Sequence, residues 1–171
     1  MRGGLALMLA GALTGAPAAA TQPLRWEQTA ETMPARLIEV GTWQFSATKL
    51  VPDGKPECHE RWTFNADGTG LIVSGQQRVT TRWETEELKG LGHFVFITSE
   101  ASTPGPDCMG RAVDLSRYPR KASGYQLVFF DAGTRARVCS AGKVVRLPDG
   151  TTSRMLDGDD CWGEILPLPQ G

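Results

Sequence analysis

The sequence predicts an all-β protein: an antiparallel up-and-down β-barrel of about eight to ten strands after a short N-terminal helical or irregular segment. The first observation is that turn residues recur at short intervals along the chain. Short apolar stretches are bounded by glycine, proline and aspartate, as in "VPDGKP", "NADGTG" and "LPDG". A second is that polar and apolar residues alternate within several of these stretches. Many short strands joined by tight turns are typical of a sandwich or a barrel, and closing the sheet removes exposed edges.

The N-terminus, "MRGGLALMLAGALTGAPAAA", has the three parts of a secretory signal peptide: a basic Arg2, a short apolar run and a small-residue cleavage site ending at Ala20. The apolar run is shorter than the ~20 residues that span a bilayer. We therefore predict a signal peptide over residues 1–20 and a periplasmic or secreted protein. Residues 21–36 are predicted to be irregular, with a short helix near residues 27–33, and residues 37–171 to form the barrel domain.

Ten strands are predicted from the alternation and the turns. They cover residues 37–50, 57–65, 69–75, 78–84, 93–98, 125–131, 135–141, 143–147, 151–156 and 161–166.

Alternation also predicts which side chains face the interior, since successive side chains on a strand point to opposite faces. In "CHERWTFN" the shared face carries Cys58, Glu60, Trp62 and Phe64, and in "RVTTRWE" it carries Val79, Thr81 and Trp83. We expect a further set of mostly aromatic side chains to complete this interior. They are Phe94, Phe96, Tyr125, Leu127 and Phe129.

The stretch "NADGTGLIVSGQ" resembles a calcium-binding loop, because Asn65, Asp67 and Thr69 offer oxygens at alternate positions before Gly70. Its last position carries Gln76 instead of the bidentate glutamate that such loops require. The flanking residues have the pattern of strands, whereas a calcium loop of this type lies between helices. We therefore interpret the stretch as a hairpin, with a turn over residues 66–68.

The four cysteines, Cys58, Cys108, Cys139 and Cys161, all follow the predicted signal peptide. An even number of cysteines in an exported chain predicts two disulfides. Three pairings are compatible with four cysteines. We favour Cys58–Cys108 and Cys139–Cys161, which keep each bridge within its own half of the chain.

The sequence predicts neither a metal site nor a catalytic site. The potential ligands in "ECHE", residues 57–60, alternate between the two faces of a strand and cannot converge on one ion, so no metal site is predicted. Since there is no nucleophile elbow or other local catalytic signature, we predict neither enzyme activity nor a cofactor. Glu60 has two readings: an interior carboxylate with a partner or a raised pKa, or a rim position in solvent.

One long connection, from Ser99 to Ser123, exceeds the length of an ordinary hairpin loop. Loops of this length are often functional or pinned by a constraint, and Cys108 can supply one. The 18 basic and 19 acidic side chains nearly balance and form no basic stripe, so a nucleic-acid partner is not predicted.

At "GTW", Gly41 to Trp43, the sequence resembles the lipocalin superfamily and its exported bacterial relatives of uncharacterised function. The strings "WTFNADGTG", "PDCMG" and "CWGEI" are similar to features of those small lipocalin-like proteins. The resemblance covers about residues 38–166. It implies that Trp43 lies on the first barrel strand and plugs the closed end.

We therefore predict an exported, monomeric β-barrel that binds a small, mainly apolar ligand. Trp62, Phe64, Trp83, Phe94 and Phe96 are expected to line its cavity, with Glu60 as a polar anchor. The alternative is a protein-interaction module, such as an inhibitor of an envelope hydrolase, that docks through the loop from Ser99 to Ser123. A cavity of about 300 Å³ or more favours ligand binding, and a filled core favours the alternative.

Overall fold

The computed structural model of the protein describes residues 26–47, 58–88, 92–140, 143–146, 148–155 and 160–168. The predicted signal peptide lies outside these ranges. Within them the chain forms one α-helix and ten β-strands. The elements are α1 Thr32–Val40, β1 Thr42–Ala47, β2 His59–Phe64, β3 Thr69–Ser74, β4 Gln77–Leu88, β5 Gly92–Ser102, β6 Ser123–Phe130, β7 Arg135–Cys139, β8 Lys143–Arg146, β9 Thr152–Met155 and β10 Cys161–Pro167.

Eight of the strands close into one antiparallel barrel. β1 to β7 pair in chain order, β10 pairs with β7, and β1 pairs with both β2 and β10. β8 and β9 form a separate two-stranded hairpin between β7 and β10. The predicted all-β, up-and-down barrel with a short N-terminal helical segment is confirmed.

The helix lies later in the chain than predicted. The sequence indicated a helix near residues 27–33 and a strand from residue 37, whereas α1 covers Thr32–Val40 and β1 begins at Thr42. Met33 and Leu37 are four residues apart, so both point from one face of α1 into the core. Gly41 ends the helix with a φ of 71°, and its N–H donates to the Leu37 carbonyl.

α1 packs against one end of the barrel. Trp43 is fully buried there, with its Nε1 donating to the Leu37 carbonyl at 3.3 Å and its ring edge-on to Phe129. The side chain of Gln28 bridges β6, since its Nε2 donates to the Leu127 carbonyl at 2.6 Å and its Oε1 accepts from the Phe129 N–H at 3.1 Å. This end is filled by side chains and backbone contacts.

The stretch at residues 65–76 is a hairpin, as predicted. β2 pairs with β3 in the register Phe64 to Gly70, and the Gly68 N–H donates to the Asn65 carbonyl across the turn. Gly68 has a φ of 78°, a value that favours glycine. The Asp67 carboxylate accepts hydrogen bonds from the N–H and the hydroxyl of Thr69, at 3.0 and 2.6 Å, and these bonds lower its pKa.

Two disulfides join the cysteines in the predicted pairs, Cys58–Cys108 and Cys139–Cys161. Two disulfides in one domain indicate an oxidising environment of the extracellular type. No helix within the described ranges has the length and apolar character of a membrane crossing.

Candidate functional site

A cavity of about 330 Å³ lies toward the end of β1 that is remote from α1. Its walls come from the inward faces of β1 to β5, the neighbouring aromatic side chains of β6 and β10, and the loop after β5. Phe45, Trp62 and Ile72 supply apolar surface, while Glu60 and Ser74 supply polar groups. The cavity opens to solvent, because exposed side chains of the loop also line it.

Glu60 is the inward-facing carboxylate of β2 and is half-buried. Its Oε2 accepts a hydrogen bond of 2.7 Å from the indole Nε1 of Trp62. Among the described residues no lysine, arginine or histidine forms an ion pair with Glu60. The sequence allowed either an interior carboxylate with a partner or a rim position in solvent, and the structure has features of both. Glu60 faces the interior with the Trp62 indole as its partner, and it also lines a cavity that opens to solvent.

Four aromatic rings beside Glu60 form a closed circuit of contacts. Phe45 stacks on Trp62 with ring centroids 4.9 Å apart, and Trp62 lies 5.8 Å from Tyr125. Trp162 completes the circuit at 5.9 Å from Tyr125 and 5.1 Å from Phe45. All four residues line the cavity, and we call this set the aromatic circuit.

A β-bulge brings Trp162 into this circuit. On β10, Cys161 pairs with Cys139 and Gly163 with Val138, so one extra residue is inserted between the two pairs. A bulge breaks the strict alternation of side chains and re-aims the inserted residue. As a result, Trp162 contacts interior rings although its neighbour Gly163 is itself buried against Phe45.

Tyr125 is partly buried within the circuit, and this burial raises the pKa of its phenol, because the charged form loses solvation. A hydrogen bond with Ser123 acts in the opposite direction, and the negative charge of Glu60 raises the pKa further. The phenol therefore stays neutral near pH 7 and offers a hydrogen-bonding group beside the carboxylate.

The long loop after β5 forms the rim of the cavity, with Met109, Arg111, Tyr118 and Arg120 among the lining residues. It is pinned to the barrel at several points. The Gln77 amide donates to the Gly105 and Arg111 carbonyls at 3.0 and 3.1 Å, and the disulfide to Cys58 fixes Cys108. Because these contacts hold the loop at Gly105, Cys108 and Arg111, the loop forms a fixed rim.

One of the two rim arginines is paired within the loop. Arg111 donates from Nε to the Asp107 carboxylate at 2.8 Å, and Asp107 also accepts from the N–H groups of Met109 and Arg111. Burial raises the pKa of Asp107, but these hydrogen bonds and the Arg111 charge outweigh it and leave the pKa lowered. Arg120 stacks over the Tyr118 ring at 4.5 Å.

The predicted lining residues divide into three groups. Glu60 and Trp62 line the cavity. Phe64 and Trp83 face the interior but pack edge-to-face on one another at 5.2 Å, and the Trp83 Nε1 is held by the Thr69 carbonyl. Phe94 and Phe96 are not among the residues that line the cavity. Phe94 is fully buried and Phe96 is half-buried, and both alternate along β5 with Val95 and Ile97 of the core.

The outer face carries a second hollow of about 330 Å³ near the Asp67–Gly68 turn. Phe96 lines it together with Arg82 and Glu84, which are both exposed. Because its polar groups are solvated and lie outside the barrel, it lacks the converging interior side chains of the first cavity. The interior cavity is therefore the candidate site.

Cys58, Glu60 and Cys108 place their ligand atoms within 4.8 Å of one another. Both sulfurs belong to one disulfide and have no thiolate character. This cluster offers a metal ion a single carboxylate, so it supplies no basis for a metal site.

Phe45, Tyr125 and Trp162 were not among the predicted site residues. Alternation placed Tyr125 in the interior, and the same alternation from Trp43 indicates an inward Phe45. No pattern in the sequence marks the bulge that turns Trp162 inward. Comparison with known proteins finds no matching family model, no matching curated protein and no matching solved structure.

Proposed function

We propose that this chain is an exported, lipocalin-like β-barrel that binds a small, mainly apolar molecule in the interior cavity. The observation that carries the proposal is a cavity of about 330 Å³ lined by aromatic side chains and one inward carboxylate. Pockets for small ligands have volumes of about 300–1,000 Å³ and combine apolar walls with a few placed polar groups. The two disulfides support the periplasmic or secreted location that is part of this proposal.

The most direct test is native mass spectrometry of the protein purified from its own host. We expect a co-purifying small molecule at a stoichiometry near one. A stoichiometric protein partner without any small molecule would contradict ligand binding and favour the interaction module.

A matched pair of variants locates the binding. Ser99 lines the interior cavity, whereas its neighbour Thr98 lines the outer hollow. With the neutral apolar dye N-phenyl-1-naphthylamine, we expect fluorescence enhancement in wild type and Thr98→Trp, and its loss in Ser99→Trp. Equal dye binding by the two variants would show that the dye does not occupy the cavity.

The interaction module is the second candidate, and one observation favours it. Leu115 of the long loop is 47% exposed, a high value for a large apolar side chain, and it lies in a segment with exposed Arg117 and Lys121. Such a mixed surface suits a protein partner. Loss of a co-purifying partner in Leu115→Ser would support this candidate.

A further inference from the structure

We propose that the ligand of the interior cavity carries an ammonium group, which lies within the aromatic circuit against the carboxylate of Glu60. This inference rests on the proposed function, because it assigns a chemical class to the ligand of the same cavity. It is carried by the juxtaposition of an inward carboxylate with four aromatic rings.

The first step is the carboxylate. Glu60 points inward from β2, and among the described residues no cationic side chain forms an ion pair with it. Its Oε2 is held by the Trp62 indole at 2.7 Å, which fixes the orientation of the group, and its Oε1 lies 3.9 Å from the Cys108 sulfur, which has no proton to donate because it belongs to a disulfide. An oriented carboxylate without a cationic partner favours a ligand that brings the positive charge.

The second step is the set of ring faces. Phe45, Trp62, Tyr125 and Trp162 contact one another in a closed circuit with centroid distances of 4.9 to 5.9 Å. Phe45 and Trp62 stack nearly parallel and cover one face of each other, whereas the other three ring contacts are tilted by 50–63°. The negative π-faces that remain toward the cavity attract cations, as in the aromatic sites that recognise methylated ammonium groups. Apolar ligands without charge would use the ring surfaces but leave the carboxylate uncompensated.

The third step is the rim, where one of the two arginines that line the cavity is paired within the loop. Arg111 is neutralised by Asp107 at 2.8 Å. Arg120 lies over the Tyr118 ring, with its guanidinium carbon 4.5 Å from the ring centroid. Among the described residues that line the cavity, Glu60 is the carboxylate without a cationic partner, since Asp107 is paired with Arg111.

Choline and its neutral isostere 3,3-dimethylbutan-1-ol test the proposal, because they share shape and differ in charge. By isothermal titration calorimetry we expect choline to bind at least about tenfold more tightly than the isostere. In the nuclear magnetic resonance spectrum, ring currents should shift the N-methyl signal of bound choline upfield. Equal affinities for the two probes would overturn the proposal.

Glu60→Gln and Glu84→Gln form the matched pair of variants. Glutamine retains an acceptor for the Trp62 indole, so the fold is expected to persist, as circular dichroism will check. We expect Glu60→Gln to weaken choline binding by about tenfold and leave the isostere unchanged. Glu84, on the outer face, should have no effect. An unchanged choline affinity in Glu60→Gln would contradict the role of the carboxylate.

Binding of the neutral dye tests ligand binding alone, whereas the preference for choline tests the ammonium group. If N-phenyl-1-naphthylamine binds in the cavity but choline shows no preference over its isostere, ligand binding stands and the ammonium inference is wrong. If neither the dye nor choline binds to wild type, both are wrong.

Discussion

At the scale of single residues, Gly163 determines the shape of the candidate site. A Cβ atom at this position would overlap the Phe45 ring and lie 3.0 Å from the Ser46 carbonyl. Phe45 in turn stacks on Trp62, so the absent side chain at residue 163 allows the circuit to close. The sequence shows this glycine in "CWGEI". Its contact with Phe45 depends on the pairing of β1 with β10, which are far apart in the chain.

We therefore predict that Gly163→Ala lowers the free energy of unfolding by about 1–3 kcal/mol, because it overpacks the core against Phe45. Urea denaturation of the wild type and variant measures this change. Phe45→Leu removes the ring atoms that the new Cβ would meet. The two substitutions should therefore be less than additive in a double-mutant cycle, and strict additivity would contradict the steric explanation.

At the scale of elements, turns and alternation could be predicted from the sequence, because both depend on local chemistry. The hairpin at Asp67 and Gly68 is an example, since its glycine and its short polar side chain specify the turn directly. The placement of α1 was harder to predict, because its core-facing apolar pattern is only three residues long, Met33, Leu37 and Val40, and is followed directly by the alternation of β1. The bulge at Trp162 arises from the pairing of β10 with β7 and has no local signal.

The rim loop carries a pH-dependent element at Asp107. Its pKa is lowered from a usual value of 3.8 in the folded protein, so its stabilising contribution is fully present above that value and is lost as pH falls through the lower, folded-state pKa. We expect the amide signals of Met109 and Arg111, which donate to this carboxylate, to titrate with a midpoint below 3.8.

Asp107→Asn is the control for this titration, since the amide keeps one oxygen acceptor but does not ionise. The low-pH change of the Met109 and Arg111 amide signals should disappear in this variant. A midpoint at or above 3.8 in the wild type would contradict the lowered pKa, and a persistent titration in Asp107→Asn would assign it to another group.

At the scale of the whole molecule, two disulfides restrain different parts of the barrel. Cys139–Cys161 joins the paired strands β7 and β10 across 22 residues, and Cys58–Cys108 ties the rim loop to the start of β2 across 50 residues. Sequence reasoning favoured this pairing because each bridge is local, and the strand register of β7 and β10 gives the structural reason for one of them.

Loop-closure entropy predicts that each bridge contributes about 3–4 kcal/mol, with the larger contribution from Cys58–Cys108 because its loop is longer. Paired cysteine-to-alanine variants, compared by urea denaturation, measure the two contributions. A greater loss for the Cys139 and Cys161 pair would show that native contacts between β7 and β10 outweigh the entropy of the unfolded chain.

The aromatic circuit has a consequence for when the site exists during folding. Its rings come from β1, β2, β6 and β10, so they meet only after the pairing of β1 with β10 has closed the barrel. A growing chain that lacks β10 has no site. A ligand that binds the circuit will therefore select completed molecules over partly folded ones, and its binding can report the moment of closure.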